Sequence, residues 1–187
     1  MKVSREQMRA NRQRILTEAG RLFREKGFDA VGVAEVMQAA GLTHGGFYGH
    51  FASKDDLIAQ TVAQMFATDD GGQAPPANLP AFVDAYLSPR HRDGVGDGCP
   101  TAALVADIRP EGPEARAALA EGVRSQIDRV ASAMSDTPSP QVRRNATGAW
   151  ATMVGAVMIA RTLDDEALAG RILQDARDWI GERLEEP

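Results

Sequence analysis

Five side chains that can hydrogen-bond to phosphate groups or to base edges lie within a span of 12 residues: Thr43, His44, Tyr48, His50 and Lys54. Ammonium, phenol and imidazole groups commonly contact the DNA backbone, and such contacts give affinity without sequence information. We therefore predict backbone contacts from Tyr48, His50 and Lys54. We predict base reading from Thr43 and His44, because they begin the segment that would enter a groove.

The same segment is poor in the side chains that usually read bases. Residues 42–51 contain no Arg, Lys, Asn or Gln, so bidentate pairing with guanine or adenine is missing. Gly45 and Gly46 would bring the main chain close to the groove, at a helix-propensity cost of about 1 kcal/mol each. Part of the specificity is therefore expected from DNA shape or from an N-terminal arm at the minor groove. One or more of three N-terminal arginines should add phosphate contacts: Arg5, Arg9 and Arg12. Two alternatives stay open, since Tyr48 could serve packing only and Thr43 could serve only as a helix cap.

Two short helices joined by a tight turn would position these groups. Apolar residues fall where a helix-turn-helix needs a core, on both sides of Gly41: Val33, Val36, Met37, Ala40, Leu42, Phe47 and Phe51. A helix is predicted before them over residues 9–26, ended by Gly27, and another after them, begun by Ser53 as N-cap. A helix-turn-helix sets its second helix in the DNA major groove, so this segment predicts DNA binding.

The charge distribution fits this prediction although the whole chain is acidic. Its 187 residues carry a formal net charge of −5. Residues 1–66 hold 9 Lys and Arg against 7 Asp and Glu, whereas residues 67–187 hold 12 against 19, and no lysine follows Lys54. Opposite signs at the two ends indicate that one end meets phosphate while the other stays off the DNA.

Other classes of protein are disfavoured by what the sequence lacks. The single cysteine, Cys99, excludes an internal disulfide framework and fits a reducing compartment. No apolar run reaches the roughly 18 residues of a membrane span, and no secretory signal is present, so we expect a cytoplasmic protein without a membrane partner. The three histidines show no metal-binding spacing and no nucleotide-binding or nucleophile motif occurs. We therefore predict neither a cofactor nor an enzymatic activity.

The remainder of the chain predicts an all-α protein. Helical spacing extends over residues 79–88, 99–108, 113–134, 141–163 and 166–184, with loops predicted at 67–78, 91–98 and 135–140. Together with the first helices this makes about nine. We divide the chain into a three-helix DNA-binding domain, residues 1–66, and a larger helical domain for effector binding and dimerisation, residues 67–187.

Residues 12–57 resemble the TetR family of bacterial transcriptional regulators over about 45 positions without gaps. The resemblance rests on the first helix over residues 12–27, the Ala40-Gly41 turn, the segment 42–51 and the closing segment 53–57. One departure is Gly32, which stands where the family usually has Ser or Thr and so removes a hydroxyl that can reach a DNA phosphate. Residues 98–104 are also similar to one branch of the family. The resemblance implies a sequence-specific homodimeric regulator, most simply a repressor that a small-molecule effector releases from operator DNA.

The resemblance also implies what the C-terminal helices do. The last two helices of each subunit would form a four-helix dimer interface, for which the candidates are Gly148, Ala151, Gly155, Ile159 and Trp179. A mostly apolar effector pocket would lie within the C-terminal helices. Its candidates are Phe82, Tyr86, Cys99, Leu104, Trp150, Met153 and Met158. Ordinary core packing is the alternative for both sets.

Two other functions stay open at this point. Cys99 follows a glycine-rich loop and begins a helix, so the same fold could use it as a redox or electrophile switch. Alternatively, the chain is a helical ligand-binding protein whose DNA module is vestigial. The sequence identifies neither the operator nor the effector, nor whether regulation is by repression or activation.

Overall fold

The computed structural model describes residues 4–67, which we call the head, and residues 78–184, which we call the body. These residues form ten helices and no strand, so the predicted all-α class is confirmed. The head contains α1 (Arg5–Lys26), α2 (Val33–Ala39), a 3-10 helix (His44–Gly49) and α3 (Lys54–Ala67). The body contains α4 (Leu79–Tyr86), α5 (Pro89–Asp93), α6 (Pro100–Leu104), α7 (Pro113–Met134), α8 (Pro140–Arg161) and α9 (Glu166–Leu184). The predicted loop at 67–78 lies almost entirely outside the described residues.

Capping residues explain where several helices begin. The side chains of Ser4, Asn78 and Ser139 accept main-chain hydrogen bonds at the starts of α1, α4 and α8. Pro113 occupies the first turn of α7, where its missing N–H costs nothing. The predicted extents of α7 and α9 are confirmed.

The region between α4 and α7 differs from the prediction. A short helix, α5, occupies the start of the predicted 91–98 loop, because Ser88 Oγ accepts from His91 N and Pro89 begins the turn. The helices predicted over 79–88 and 99–108 end earlier, at Tyr86 and Leu104. Turns then carry the chain to Ile108, which is buried.

The head has a core rich in aromatic rings. The apolar stripe of α1 faces inward and packs against α2 and α3, and Phe47 of the 3-10 helix belongs to the same core. Phe47 is stacked on Phe51 with ring centroids 5.6 Å apart, and Phe23 lies 5.2 Å from Phe28. All four rings are at most 2% exposed, so the short helices are held by side-chain packing more than by their own length.

The head core continues into the body. Four residues of the α6–α7 region join the head cluster: Leu104, Ile108, Ala115 and Leu119. At the same junction the ring of Phe66 in α3 lies where a β-carbon at Gly122 of α7 would be, so only glycine fits there without movement. The head is therefore fixed to α7 by close packing. The domain boundary at residues 66 and 67 remains a prediction.

A second apolar cluster holds the body together. It joins α4, the second half of α7, α8 and α9, with Leu87, Met153, Val157 and Ile180 almost fully buried. Helices α8 and α9 form an antiparallel pair over most of their length. Their outer faces stay free of intrachain packing, as described below.

Candidate DNA interface and effector site

The turn between α2 and the 3-10 helix has the geometry of a helix-turn-helix. Gly41 has φ of +68°, a left-handed conformation that side chains with a β-carbon rarely adopt, and Leu42 N donates to Met37 O at 2.8 Å. The predicted second helix is present, but it is a 3-10 helix of six residues rather than an α-helix. Three of those six residues are glycines, whose conformational freedom makes a longer regular helix unfavourable.

The predicted base readers are exposed on this 3-10 helix. Thr43, His44 and Gly45 are all exposed. Thr43 occupies the N-cap position, but its hydroxyl makes no capping hydrogen bond and stays available. Whether they contact bases remains a prediction.

Tyr48 shares the outward side of the 3-10 helix with Gly45, since residues three apart are eclipsed in this geometry. The tyrosine is 73% exposed and touches the core only through the edge of its ring on Phe47. This exposure favours the predicted backbone contact over a packing role.

The glycines of the 3-10 helix are not required by the protein itself. A β-carbon at Gly45 would meet nothing within 4 Å, and at Gly46 or Gly49 it would make only ordinary contacts at 3.7 Å or more. None of the three has a positive φ. Their conformation and surroundings would therefore accept alanine, so the fold of the head does not require glycine at these positions.

Arg12 has a structural contact that the sequence did not reveal. Its Nη1 donates to the carbonyl oxygen of His50 at 2.6 Å, and its guanidinium lies 4.4 Å from the centroid of the Phe51 ring. Arg12 thus ties α1 to the end of the 3-10 helix. Burial, with a smaller contribution from Arg12, lowers the pKa of His50, which favours the neutral imidazole.

Lys54 stands at the beginning of α3, half-buried, next to a capping arrangement. Ser53 Oγ accepts from Asp56 N at 3.1 Å, and the carboxylate of Asp56 accepts from Ala52 N at 2.9 Å. The hydrogen bonds that the carboxylate accepts from Ala52 N and from Gln60 lower the pKa of Asp56. The first-turn N–H groups of Lys54 and Asp55 keep no intrahelical partner and, with the ammonium, suit a phosphate.

The cations of the head divide into two groups. Arg21 pairs with Glu18 and Glu25, and Lys26 pairs with Glu35 at 2.6 Å. The other cations of the described head form no ion pair: Arg5, Arg9, Arg12, Arg14, Arg24 and Lys54. They lie on α1 and at the start of α3, the two helices that flank the helix-turn-helix.

The predicted dimer residues lie on the outer face of α8 and α9. Ala151, Ile159 and Trp179 are exposed, Ile159 to 52% and Trp179 to 40%. Gly148 and Gly155 are half-buried, and a β-carbon at either would meet nothing within 4 Å. The sequence analysis missed Leu168 of α9, which is 36% exposed. The structure thus leaves an apolar, small-residue face on this helix pair.

The predicted pocket residues do not line one cavity. A cavity of about 1000 Å³ opens between α4, α7, α8 and α9, and its walls include Val83, Met134, Val142 and Arg177 but none of the seven candidates. Leu104 belongs to the head cluster, whereas Tyr86, Trp150 and Met153 are buried in the body cluster. Phe82, Cys99 and Met158 are half-buried beside it. Hydrophobic spacing along a helix selected buried positions without indicating which of them face empty space.

Three residues missed by the sequence analysis surround the predicted Tyr86 and Cys99. His91 Nδ1 donates to Tyr86 O at 2.7 Å, and its Nε2 accepts from Cys99 N at 3.0 Å, which fixes the neutral tautomer. Arg161 donates to the carbonyl oxygens of His91 and Arg92, both at 2.9 Å. Thr101, two residues after Cys99, is buried. These contacts join residues 5 to 70 positions apart, and short motifs do not reveal the longer of these separations.

The described residues give no indication of two further kinds of site. No helix in the head or the body has the length and apolar character needed to cross a membrane. Within residues 4–67 and 78–184, no group of three or more His, Cys, Asp and Glu side chains is placed to hold a metal ion.

A tight glycine turn, an exposed polar 3-10 helix and unpaired cations beside it define a helix-turn-helix DNA-binding protein. Comparison with known families agrees. Residues 15–61 match the family described as bacterial regulatory proteins, tetR family, and residues 75–176 match the tetracyclin repressor-like C-terminal domain. The chain belongs to the TetR family of transcriptional regulators.

Curated relatives match over different lengths. An uncharacterized HTH-type transcriptional regulator of Mycobacterium tuberculosis is 26% identical over 173 residues, covering 84% of this chain and 88% of the relative. The HTH-type transcriptional regulator AcrR of Shigella flexneri is 37% identical over 57 residues, which cover 30% of this chain and 26% of the relative. An HTH-type transcriptional repressor of M. tuberculosis is 41% identical over 57 residues, 30% of each chain.

Solved structures share the fold at low sequence identity. The reduced form of E. coli NemR has a TM-score of 0.77 at 21% identity, covering 92% of this chain and 96% of NemR. A TetR-family regulator from Agrobacterium tumefaciens has a TM-score of 0.74 at 22% identity, with 92% and 98% covered. These likenesses establish the fold alone.

Proposed function

We propose that this regulator is a homodimeric repressor that binds operator DNA through the 3-10 helix and its surroundings. The observation that carries the proposal is the exposed polar face at Thr43, His44 and Tyr48, with glycines that the fold does not require. Arg5, Arg9 and Lys54, which form no ion pair within the described residues, supply affinity for phosphate. One relative is named a transcriptional repressor, which favours repression over activation.

The second subunit binds through the outer face of α8 and α9. Gly148, Ala151 and Gly155 leave room for close helix contact, and Ile159 and Trp179 offer apolar area. A single helix-turn-helix reads too few base pairs for a useful specificity ratio, and two copies supply it. A small-molecule effector bound in the body favours a dimer with a different spacing of the two heads. The protein acts in the cytoplasm, where the operator is, and carries out no catalysis.

The DNA-binding test uses the DNA upstream of the protein's own gene. Affinity should fall steeply with salt concentration, and Lys54→Ala should weaken binding to every sequence alike while reducing the salt slope by about 1. Arg109→Ala removes an exposed cation from the body and serves as the matched control. An affinity that does not depend on salt concentration, or that is equal for the upstream region and for random DNA, would support a vestigial DNA module instead.

The dimer test replaces one exposed apolar side chain by a charge. Ile159→Asp should produce monomers in sedimentation analysis, because a carboxylate would be buried in the interface. Val105→Asp changes an apolar residue of similar exposure, 38%, away from this face and should leave the dimer intact. A dimer in both variants would place the interface elsewhere.

A second candidate function uses Cys99 as a redox or electrophile switch. The observation that favours it is that the half-buried thiol lies close enough to Arg24 and Arg161 to influence the pKa of both guanidinium groups. Loss of DNA binding on oxidation that disappears in Cys99→Ser would support this candidate. Equal sensitivity of the wild type and of Cys99→Ser would exclude it.

A further inference from the structure

Four buried hydrogen-bonding atoms between α4, α6 and α8 have no partner within the described residues: Tyr86 Oη, Thr101 Oγ1, Trp150 Nε1 and Arg161 Nη1. The tyrosine is 7% exposed, the threonine 4% and the tryptophan 3%. A buried donor without a partner is costly because its lost hydration is not replaced, so proteins rarely leave several in one region without a reason.

Tyr86 lies near both Trp150 and Arg161. The Tyr86 and Trp150 rings meet edge to face with centroids 5.5 Å apart. Burial holds the pKa of Tyr86 well above its ordinary value; Cys99 raises it further and Arg161 lowers it, so both groups are close to the phenol. The Cys99 sulfur is near Tyr86 Oη without the geometry of a hydrogen bond, and the hydroxyl therefore stays unsatisfied.

Arg161 adds a positive charge that no carboxylate neutralises. Its Nε and Nη2 donate to main-chain carbonyl groups, which leaves Nη1 free. The nearby Asp93 forms its ion pair with Arg92 instead. Burial lowers the pKa of Arg161, a sign that its charge is poorly solvated.

The hydrogen-bonding capacity of these unpartnered groups favours one class of ligand. Tyr86 Oη, Trp150 Nε1 and Arg161 Nη1 can all donate, and only the hydroxyls can also accept. The one imidazole acceptor nearby, His91 Nε2, is already occupied by the main-chain N–H of Cys99. A cation or a donor-rich ligand would find few acceptors here, whereas a carboxylate would satisfy the donors and the charge together.

We propose that Tyr86 and Arg161 bind the carboxylate of a small organic acid whose apolar part lies against Trp150 and the other aromatic rings of the body cluster. Phe82, 5.9 Å from Tyr86 between ring centroids, and Met153 provide that apolar surface. The proposal rests on the proposed function, because it names the chemical class of the effector.

The site is connected to the head through one short loop. Arg161 donates to the carbonyl oxygens of His91 and Arg92. Four residues after Arg92, the carbonyl oxygen of Gly96 accepts a hydrogen bond from Arg24 Nε of α1 at 2.5 Å. A ligand that draws Arg161 toward its carboxylate therefore acts on the loop that holds α1.

The test measures carboxylate binding to the full-length protein by titration calorimetry. The probes are benzoate, phenylacetate and hexanoate, each compared with the amide of the same skeleton and with benzylamine. The proposal expects at least one carboxylate to bind saturably while the matched amide binds at least about tenfold more weakly and the amine does not bind. Absence of carboxylate binding up to about 10 mM, beyond the weak millimolar range, would overturn it.

Two variants locate the binding. Tyr86→Phe removes only the unpartnered hydroxyl and should weaken the carboxylate about tenfold without loss of thermal stability. Arg161→Gln should abolish the preference for carboxylate over amide. Because Arg161 also holds the loop, the tyrosine variant decides the question if the arginine variant fails to fold. Tyr48→Phe, which removes the hydroxyl of the other tyrosine, is the control and should leave carboxylate affinity unchanged.

The outcomes separate this inference from the proposed function. An unchanged carboxylate affinity in Tyr86→Phe together with a lower melting temperature would mean that an internal water satisfies the hydroxyl, and would overturn the site. Operator binding is measured independently on the same proteins. Failure of the wild type to bind its upstream DNA would contradict the proposed function while leaving the carboxylate site standing. Normal DNA binding without carboxylate binding would contradict the carboxylate site and leave the proposed function standing.

Discussion

The head and the body satisfy their buried polar groups to different degrees. In the described head, Thr61 Oγ1 is the one buried side-chain atom without a partner, whereas the described body has at least four, on Tyr86, Thr101, Trp150 and Arg161. The head turns its polar chemistry outward, where Tyr48 is 73% exposed over a core of stacked rings. The difference agrees with our two proposals, in which the head binds DNA at its surface and the body binds its ligand inside.

The packing between head and body provides the largest test of this contrast. Gly122→Ala places a methyl group on the Phe66 ring, and the overpacking should lower the free energy of unfolding by about 1–3 kcal/mol. Denaturant titration measures the change. Gly170→Ala in α9, where a β-carbon meets nothing within 4 Å, is the control and should be neutral or slightly stabilising. Equal stability of both variants would mean that α3 moves freely against α7.

Removal of the Arg12 side chain tests whether the internal hydrogen bonds of the head contribute to its stability. Arg12→Ala leaves the His50 carbonyl without its donor and the Phe51 ring without its cation, which should cost about 1–2 kcal/mol of stability. Thermal unfolding of Arg9→Ala, which removes an exposed arginine from the same helix, should differ from wild type by less than about 0.5 kcal/mol. A stable Arg12→Ala that binds DNA weakly would assign Arg12 to phosphate instead.

His91, which forms hydrogen bonds with Tyr86 O and Cys99 N, should make the stability of the protein depend on pH. Burial, aided by Arg161, lowers the pKa of His91 below its ordinary value near 6.5, although its bond to Tyr86 O opposes this. Since the folded state favours the neutral ring, the stabilisation is present above the unfolded pKa and is lost as pH falls from about 6.5 toward the lower folded pKa.

Unfolding titrations between pH 8 and pH 5 measure this loss for the wild type, for His91→Asn and for His44→Asn. His91→Asn should be less stable by about 1 kcal/mol at neutral pH, because hydrogen bonds to Tyr86 O and from Cys99 N are lost or weakened. It should also show a shallower decline toward pH 5. His44→Asn alters an exposed imidazole of the head and should follow the wild-type curve. Parallel declines in all three proteins would contradict the prediction.

The smallest effect on stability, and the clearest one on function, is expected at Gly45. Alanine meets no atom within 4 Å there and has higher helix propensity, so Gly45→Ala should stabilise the free protein by about 0.5 kcal/mol. Operator affinity should nevertheless fall, because the added methyl group stands between the main chain and the groove. Anisotropy titrations with operator DNA measure this, and Gly170→Ala should show a similar stabilisation with unchanged affinity. Undiminished affinity in Gly45→Ala would show that DNA does not approach this glycine.

The sequence predicted the parts of the fold that depend on local signals. Pro113 and the apolar spacing gave the extent of α7, and Ser53 and Gly41 marked the start of α3 and the turn correctly. The 3-10 geometry of residues 44–49 was missed, because glycine-rich segments have weak preferences between helix types. Helix α5 was missed because Ser88 and Pro89 also suit the end of a helix.

The sequence predicted more of the candidate DNA interface than of the candidate site in the body. Tyr48 and Lys54 could be proposed from short-range motifs, and the exposure of Tyr48 agrees with its proposed role. The free donors of Tyr86 and Arg161 could not, because a missing partner becomes visible only when every neighbour is placed. The bonds from Arg161 to His91 and Arg92 span about 70 residues and have no local signature. The cavity beside α9 was missed for the same reason, since hydrophobic spacing does not distinguish a filled interior from an empty one.

The seating of Phe66 against Gly122 also bears on how the head can reorient. A flat ring already in contact with a helix backbone cannot press further inward, and closely packed interfaces change between discrete arrangements more readily than they bend. A tilt of α3 therefore requires the Phe66 ring to leave its contact with Gly122 and to pack in another position. For a regulator this mechanical behaviour favours two distinct head positions, on and off, over a graded series between them.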